Sequence, residues 1–214
     1  MTIFIGGNHE ASNILQSLYY GGWVARNIFF LGFGGVVWFG GVRIAGLSGI
    51  YNDRHYHMGH YETPPYTPDS VRSVYHLREL EVFRIAHISS TVDIFLSHDW
   101  PNGIWKYGDC RALLAKKKFL REDVESGRLG SPPLMYLLQL LKPKYWFAAH
   151  LHVKFDALFP HDDDNNTNSH ESREEEKDID SSTLPSANYI VARPCEEQTR
   201  FTRFLALDKV LPGR

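Results

Sequence analysis

Three apolar, β-prone runs in this chain each stop at a polar cluster able to bind a metal, and that recurrence constrains the fold more than any other feature. Thr2-Ile3-Phe4-Ile5 leads into Gly6-Gly7-Asn8-His9-Glu10, Val92-Asp93-Ile94-Phe95-Leu96 into Ser97-His98-Asp99-Trp100-Pro101, and Tyr145 to Ala149 into His150-Leu151-His152. Pro101 forbids smooth continuation of the middle strand. In layered α/β folds, ligands gather beyond strand ends, where loops point several side chains into one crevice. A single histidine there is more often a cap or a satisfied polar residue, but three clusters at three strand ends define a candidate site.

The intervening stretches fill in an α/β order. Asn8 to Leu18 reads as a helix with Ile14, Leu15 and Leu18 on one face and Asn8 or Ser12 as its cap. From Asn27 to Ile50, β-formers are punctuated by Gly32, Gly34-Gly35, Gly40-Gly41, Gly46 and Gly49, the pattern of short strands joined by tight turns. No helix follows in dinucleotide-fingerprint spacing, so hairpin geometry is preferred to phosphate cradling. Residues 51–78 form a long loop rich in tyrosine, histidine and arginine and broken by Pro64, Pro65 and Pro68. Long loops in compact domains are often functional, and these side chains offer stacking faces and phosphate donors; a packed excursion using tyrosine as filler is the competing reading. Val71 to Ile85 then reads as a helix, two helical stretches follow the middle strand, and Leu134 to Leu141 precede the third. Lys116-Lys117-Lys118 with Arg121 reads as a solvated helix face. The expected organisation is a core over 1–159, a flexible acidic insertion over 160–200, and a returning strand, Arg203 to Leu207, within 201–214.

Composition narrows the class. A chain of 214 residues, 43 % hydrophobic and 22 % charged, suits one globular domain and not a disordered or fibrous protein. No run approaches the roughly 20 apolar residues of a membrane span, so no membrane partner is expected and the chain should be soluble. Cys110 and Cys195 form no Cys-x-x-Cys, which argues against a disulfide framework or thiolate zinc site and for a reducing compartment. Residues 161–180 hold nine acids and two bases, so the rest of the chain carries 21 bases against 16 acids. Such a mildly basic body is compatible with a polyanionic ligand. The strand that begins directly after Met1 is unlike a signal peptide, and upstream sequence is expected to be missing.

Neutral imidazoles, an amide oxygen and carboxylates, without cysteine, suit zinc, manganese or iron. Two such ions about 3.5–4 Å apart can clamp both oxygens of a phosphoryl displacement. At a strand end, His150 and His152 can face the same side and serve neighbouring ions. His9, next to Asn8, is placed to act on the substrate, since a non-ligand histidine can protonate a leaving oxygen.

In this ordered set, Gly-Asn-His-Glu, a later His and a final His-x-His, the sequence resembles the calcineurin-like metallophosphoesterases. Closer is the resemblance to their lariat-debranching family, through Gly6 to Asn13, Tyr20-Gly21-Gly22-Trp23-Val24-Ala25, Ser97 to Pro101, Ala149 to Phe155 and Phe204 to Lys209. The resemblance covers nearly everything except the acidic insertion. It implies a metallophosphoesterase-type αββα sandwich, present without its first strands, and metal-dependent hydrolysis of the 2′-5′ phosphodiester at the branch point of excised intron lariats. It also implies Asn8, His98 and His150 on one divalent ion (Fe2+, Zn2+ or Mn2+), His152 on a second, and His9 as the acid at the leaving oxygen. The segment from about 48 to 78 matches the family's lariat recognition loop, with Tyr51, Arg54, His55, Tyr56, His57, His60, Tyr61, Tyr66, Arg72, Tyr75, His76 and Arg78 as substrate contacts. Branched RNA exposes unstacked bases and 2′ substituents that such side chains can hold. The implied partner is branched intron RNA, with no DNA, and the implied location is the nucleus.

Two family blocks, a Cys-or-Asp-x-His pair and a Gly-Asp whose carboxylate bridges two metals, have no counterpart here. The expectation is therefore a chain that keeps three ligands for one ion, loses the dinuclear centre and is nearly inactive as written, while a longer parent is the enzyme. Two rival readings stay open: a metallophosphoesterase acting on another nucleic acid, nucleotide or phosphoprotein, and a catalytically dead RNA-binding or scaffold protein.

Overall fold

The computed structural model describes residues 1–161 and 200–209. The acidic insertion falls almost wholly outside the described residues. Two sheets organise the rest. A small sheet has the order β1-β3-β2, formed by β1 (Thr2–Phe4), β2 (Gly22–Ala25) and β3 (Ile28–Phe30). The main sheet has six strands in the order β4-β5-β6-β7-β9-β8: β4 (Gly34–Phe39), β5 (Val42–Leu47), β6 (Ile94–Ser97), β7 (Tyr145–Ala148), β8 (Phe155–Pro160) and β9 (Phe201–Ala206).

β5, β6, β7 and β9 are mutually parallel neighbours, while β4 and β8 pair antiparallel at the two edges. All four parallel strands therefore deliver their carboxyl ends to one edge of the sheet, where a ligand crevice belongs. In β8, Phe155, Ala157 and Phe159 are buried and Asp156, Leu158 and Pro160 exposed, the period-two pattern of an edge strand with one covered face. Pro160 is tolerated because an edge strand can lose a ladder donor.

The small sheet closes on the main one where side chains are missing. A Cβ added at Gly46 would meet Ile5 Cγ2 at 2.9 Å and Leu31 Cδ2 at 3.1 Å, so only glycine lets the layers approach. Helices cover the main sheet, and α4 (Glu79–Ala86) packs on β4 and β5 and against α7 (Pro132–Leu141). In α7, Leu134, Leu137, Leu138 and Leu141 are buried at helical spacing. Burial of each contributes about 1.5–3 kcal/mol of apolar transfer energy. Ser131 caps that helix, its hydroxyl accepting the Leu134 N–H at 3.4 Å, and the prolines after it occupy the first turn, where no amide is missed. Below the crevice, Phe95 of β6 stacks on Trp146 of β7 with centroids 4.1 Å apart.

Other helices are short: α1 (Ser12–Ser17), α2 (Asp53–Tyr56), α3 (Ser70–Ser73), α5 (Cys110–Lys116) and α6 (Arg121–Glu125). Two sequence expectations are corrected. The helix anticipated over Asn8 to Leu18 begins only at Ser12, after a residue without a side-chain cap, because Asn8 is drawn toward His98. The helix anticipated over Val71 to Ile85 is split into α3 and α4. Between them Ile50 and Leu77 exchange backbone hydrogen bonds with the other strand of a short bridge: Ile50 N–H donates to Tyr75 O at 3.2 Å and Leu77 N–H to Ile50 O at 2.9 Å. Among the described residues no helix is long and apolar enough to cross a membrane.

Candidate metal centre and substrate loop

The three clusters meet at the carboxyl edge of the main sheet. His98 follows β6, His150 lies two residues beyond β7, and Asn8 comes from the turn after β1. His98 Nε2 lies 2.9 Å from Asn8 Oδ1 and 3.3 Å from His150 Nδ1. Gly7 makes the approach possible, since a Cβ there would fall 2.6 Å from the His98 ring. The backbone beneath is cross-tied. Ala149 N–H donates to His98 O at 3.0 Å, the Trp100 indole N–H to Ala149 O at 2.8 Å, and the Trp146 indole N–H to Ser97 Oγ at 2.9 Å.

His150 and His152 have φ of 58° and 50°. Left-handed backbone at non-glycine residues costs on the order of 1–3 kcal/mol each and persists only where the surroundings impose it. It also corrects the argument that the two histidines share a face by strand alternation: β7 has ended at Ala148, so the period of two does not apply. The His152 side chain is exposed, within electrostatic reach of Lys209, Lys117, His150 and Asp208. His9 is exposed beside the cluster and within electrostatic reach of His98.

The donors that converge fit one cation. Ligands each about 2.0–2.1 Å from an ion lie about 3–3.4 Å from one another, and the spacings around His98 Nε2 are of that size. Burial, then the neighbouring His150, His152 and His9, lowers the His98 pKa to about 4, so its ring is neutral at physiological pH and keeps a lone pair for a metal. Among the described residues no three His, Cys, Asp or Glu side chains form a metal-holding group. The cluster is two imidazoles and an amide oxygen, and the described residues gather no comparable set for a second ion.

Asp99, next to His98, stands in the sequence only as a member of the second polar cluster, with no role of its own. Its carboxylate accepts the Tyr51 N–H at 3.2 Å and the Trp100 N–H at 2.8 Å, and burial pushes its pKa up against those bonds and the His150 charge.

The tyrosine-rich segment is divided by the structure into an outer and an inner set. Arg54, His57, Tyr61 and Arg72 are exposed, and Tyr51, His55, Tyr56, Tyr66 and Tyr75 are half-buried. His57 pairs with Glu79 at 2.9 Å, and the Tyr66 hydroxyl donates to Gln16 Oε1 at 2.8 Å. His60, His76 and Arg78 face inward, which corrects their assignment as substrate contacts. Arg78, 1 % exposed, is ion-paired with buried Glu62 at 2.5 Å and donates to His55 O and Ser73 O. His60 sits between Glu62 at 3.7 Å and Glu81 at 3.3 Å. His76 packs its Nδ1 against that of His55 at 2.6 Å; burial first, then His55 and Arg78, lowers its pKa to about 4. Burial alone would raise Glu62, but Ser73, its own backbone, Arg78 and His60 bring its carboxyl below the ordinary value. Glu62 and Glu81, absent from the sequence-level site, are thus what the loop is built on.

The six-stranded, mostly parallel sheet with flanking helices and metal-competent residues at its strand ends is of the metallophosphoesterase type. No family model matches the chain. Along its whole length the chain is related to the lariat debranching enzymes: it is 54 % identical over 217 residues to the enzyme of Drosophila melanogaster, 50 % over 214 residues to that of Danio rerio, and 48 % over 214 residues to that of Homo sapiens. It spans 41 %, 32 % and 34 % of those proteins respectively, so the similarity is to part of each relative.

Proposed function

We propose that the enzyme to which this chain contributes acts on branched RNA, by metal-dependent hydrolysis of the 2′-5′ phosphodiester at the branch point of intron lariats. The observation that carries this reading is the convergence of Asn8, His98 and His150 at the strand ends, beside a loop whose arginines Arg54 and Arg72 are exposed and whose tyrosines are exposed or half-buried. A divalent ion bound there, Fe2+, Zn2+ or Mn2+, would supply charge stabilisation at a phosphate oxygen. His152 is the further residue available to a second ion. His9, solvent-facing beside the cluster, is placed to give a proton to the departing oxygen. The loop's outer residues, Tyr51, Arg54, Tyr56, His57, Tyr61, Tyr66, Arg72 and Tyr75, are the proposed contacts for bases and phosphates, and His55 supports them from within. An RNA substrate of this kind makes the nucleus the expected place of action.

Hydrolysis of a synthetic branched RNA, its linear isomer and a phosphomonoester, with Mn2+, Zn2+ or Fe2+ added, tests the proposal. Metal-dependent opening of the branched RNA alone by the full-length enzyme, abolished in His98→Ala, is expected, with little turnover by the 214-residue chain. Faster cleavage of the linear RNA or the monoester would favour another metallophosphoesterase activity. Branched-RNA binding with no turnover under any metal would favour a binding role.

A further inference from the structure

Three strand exits meet at one hydroxyl. Ser48 follows β5 directly, Gly6 lies two residues beyond β1, and Gly32 two residues beyond β3. The Ser48 Oγ accepts the Gly6 N–H at 3.0 Å and donates its own hydrogen to Gly32 O at 2.6 Å, while the Ser48 N–H donates to Phe33 O at 2.9 Å. Gly6, Gly32 and Ser48 are all buried, so removing the hydroxyl leaves a donor and an acceptor without solvent to replace it. The next residue repeats the tie, since the Gly49 N–H donates to Gly6 O at 2.9 Å. Gly6 is thereby held through both its backbone groups to the end of β5.

That hold bears on the metal-competent cluster. Asn8 stands two residues past Gly6, and the intervening Gly7 lies so close to His98 that an added Cβ would fall 2.6 Å from its ring. A turn displaced toward His98 collides with the imidazole, and one displaced away lengthens the 2.9 Å between Asn8 Oδ1 and His98 Nε2. The Gly7 N–H donates to Glu10 Oε1 at 2.9 Å, a bond inside the turn that travels with it, whereas the bonds to Ser48 and Gly49 anchor the turn to the main sheet. We infer that Ser48 is a positioning residue for the metal site: by holding the Gly6 N–H, its hydroxyl sets the turn where the Asn8 amide oxygen meets His98. Ser48 acts through Asn8 and is not itself a ligand. This assignment rests on the reading of Asn8, His98 and His150 as ligands of one cation.

Calorimetric titration of the chelator-stripped 214-residue chain with Zn2+ tests the role, with the circular dichroism of each variant recorded beside it. Ser48→Ala should weaken binding about 10-fold, the size of loss seen when an outer partner of a metal ligand is removed. Ser48→Thr, which keeps the hydroxyl, should bind as the unsubstituted chain does, and Ser48→Val, of the same shape as threonine without it, as weakly as Ser48→Ala. In an Asn8→Ala background, adding Ser48→Ala should change the affinity by less than about 2-fold, because the ligand it positions is already gone. Thr202→Val removes a buried hydroxyl bonded to Pro143 O at the opposite edge of the sheet and should leave the affinity unchanged. Full affinity in Ser48→Ala and Ser48→Val would overturn the positioning role and leave the ligand reading standing. A loss that recurs in the Asn8→Ala background, or appears equally in Thr202→Val, would overturn it as general loosening of the fold. Loss of the native dichroism in Ser48→Ala and Ser48→Val would overturn it in favour of a folding role. No Zn2+ bound by the unsubstituted chain would overturn the ligand reading and the positioning role together.

Discussion

The carboxylate of Asp99 accepts the backbone N–H of Tyr51 at 3.2 Å, and this bond ties the start of the tyrosine-rich loop to the strand end that presents His98. One oxygen holds Tyr51 while the other holds the Trp100 N–H at 2.8 Å, so the loop and the cluster share a buried support.

Asp99→Ala should leave both amides without their acceptor and destabilise the fold by about 1–3 kcal/mol, the cost of buried unsatisfied donors. Asp99→Asn, with one carbonyl oxygen, should lose less. Hydrogen exchange at the Tyr51 amide checks the local claim: faster exchange in Asp99→Ala is expected, and unchanged exchange would show that the bond does not hold the loop.

Arg78 and Glu62 pair in a nearly dry site. Removing one partner strands the other charge, and Arg78→Ala or Glu62→Ala should each cost about 3–5 kcal/mol. Arg78→Met combined with Glu62→Leu should cost less than the two alanine substitutions summed, because neither charge is then left buried. Chemical denaturation of the singles and the double reads this directly; full additivity would contradict the pairing.

Acid should unfold the metal-free chain in two stages. His76 and His98 are held neutral to about pH 4 in the fold, whereas unfolded imidazoles take up protons near pH 6.5. The unfolded state therefore binds more protons between those values, and stability falls as pH drops from about 6.5 to about 4. Glu62 and Glu81, both held below the ordinary carboxylate value, add a further loss below about pH 4.5. Thermal midpoints across pH 3–8 in chelator should be flat above about pH 7 and fall below it. His76→Asn should flatten the upper part of that fall by on the order of 3 kcal/mol, given about 1.4 kcal/mol per pKa unit and a shift from 6.5 to about 4. An unaltered profile in that variant would remove His76 from the account.

Much of the site was readable because its signals are local. An apolar run followed by Gly-Asn-His-Glu, Ser-His-Asp or His-Leu-His states both the strand and what its end can bind. The alternation in Phe155 to Pro160, which forms β8, is equally local, whereas the short β2 run, Gly22 to Ala25, carries little pattern of its own beside the glycine-punctuated run that follows. The inward turn of His60, His76 and Arg78 was not readable. It depends on Glu62 and Glu81, and Glu81 meets His60 only after α4 has packed on the main sheet. The break between α3 and α4 likewise comes from Ile50, more than 20 residues upstream, and no helical period reports such a partner. The left-handed backbone at His150 and His152 lies beyond the end of β7, where strand alternation no longer describes the chain.

The central claim is that Asn8, His98 and His150 together hold a cation, and calorimetric titration of the chelator-stripped chain with Zn2+ or Mn2+ tests it most directly. One tightly bound ion per chain is expected, lost in His98→Ala, weakened about 10-fold or more in Asn8→Ala, and retained in His152→Ala. Tight binding that survives His98→Ala, or two tight ions per chain with His152→Ala removing one, would contradict it.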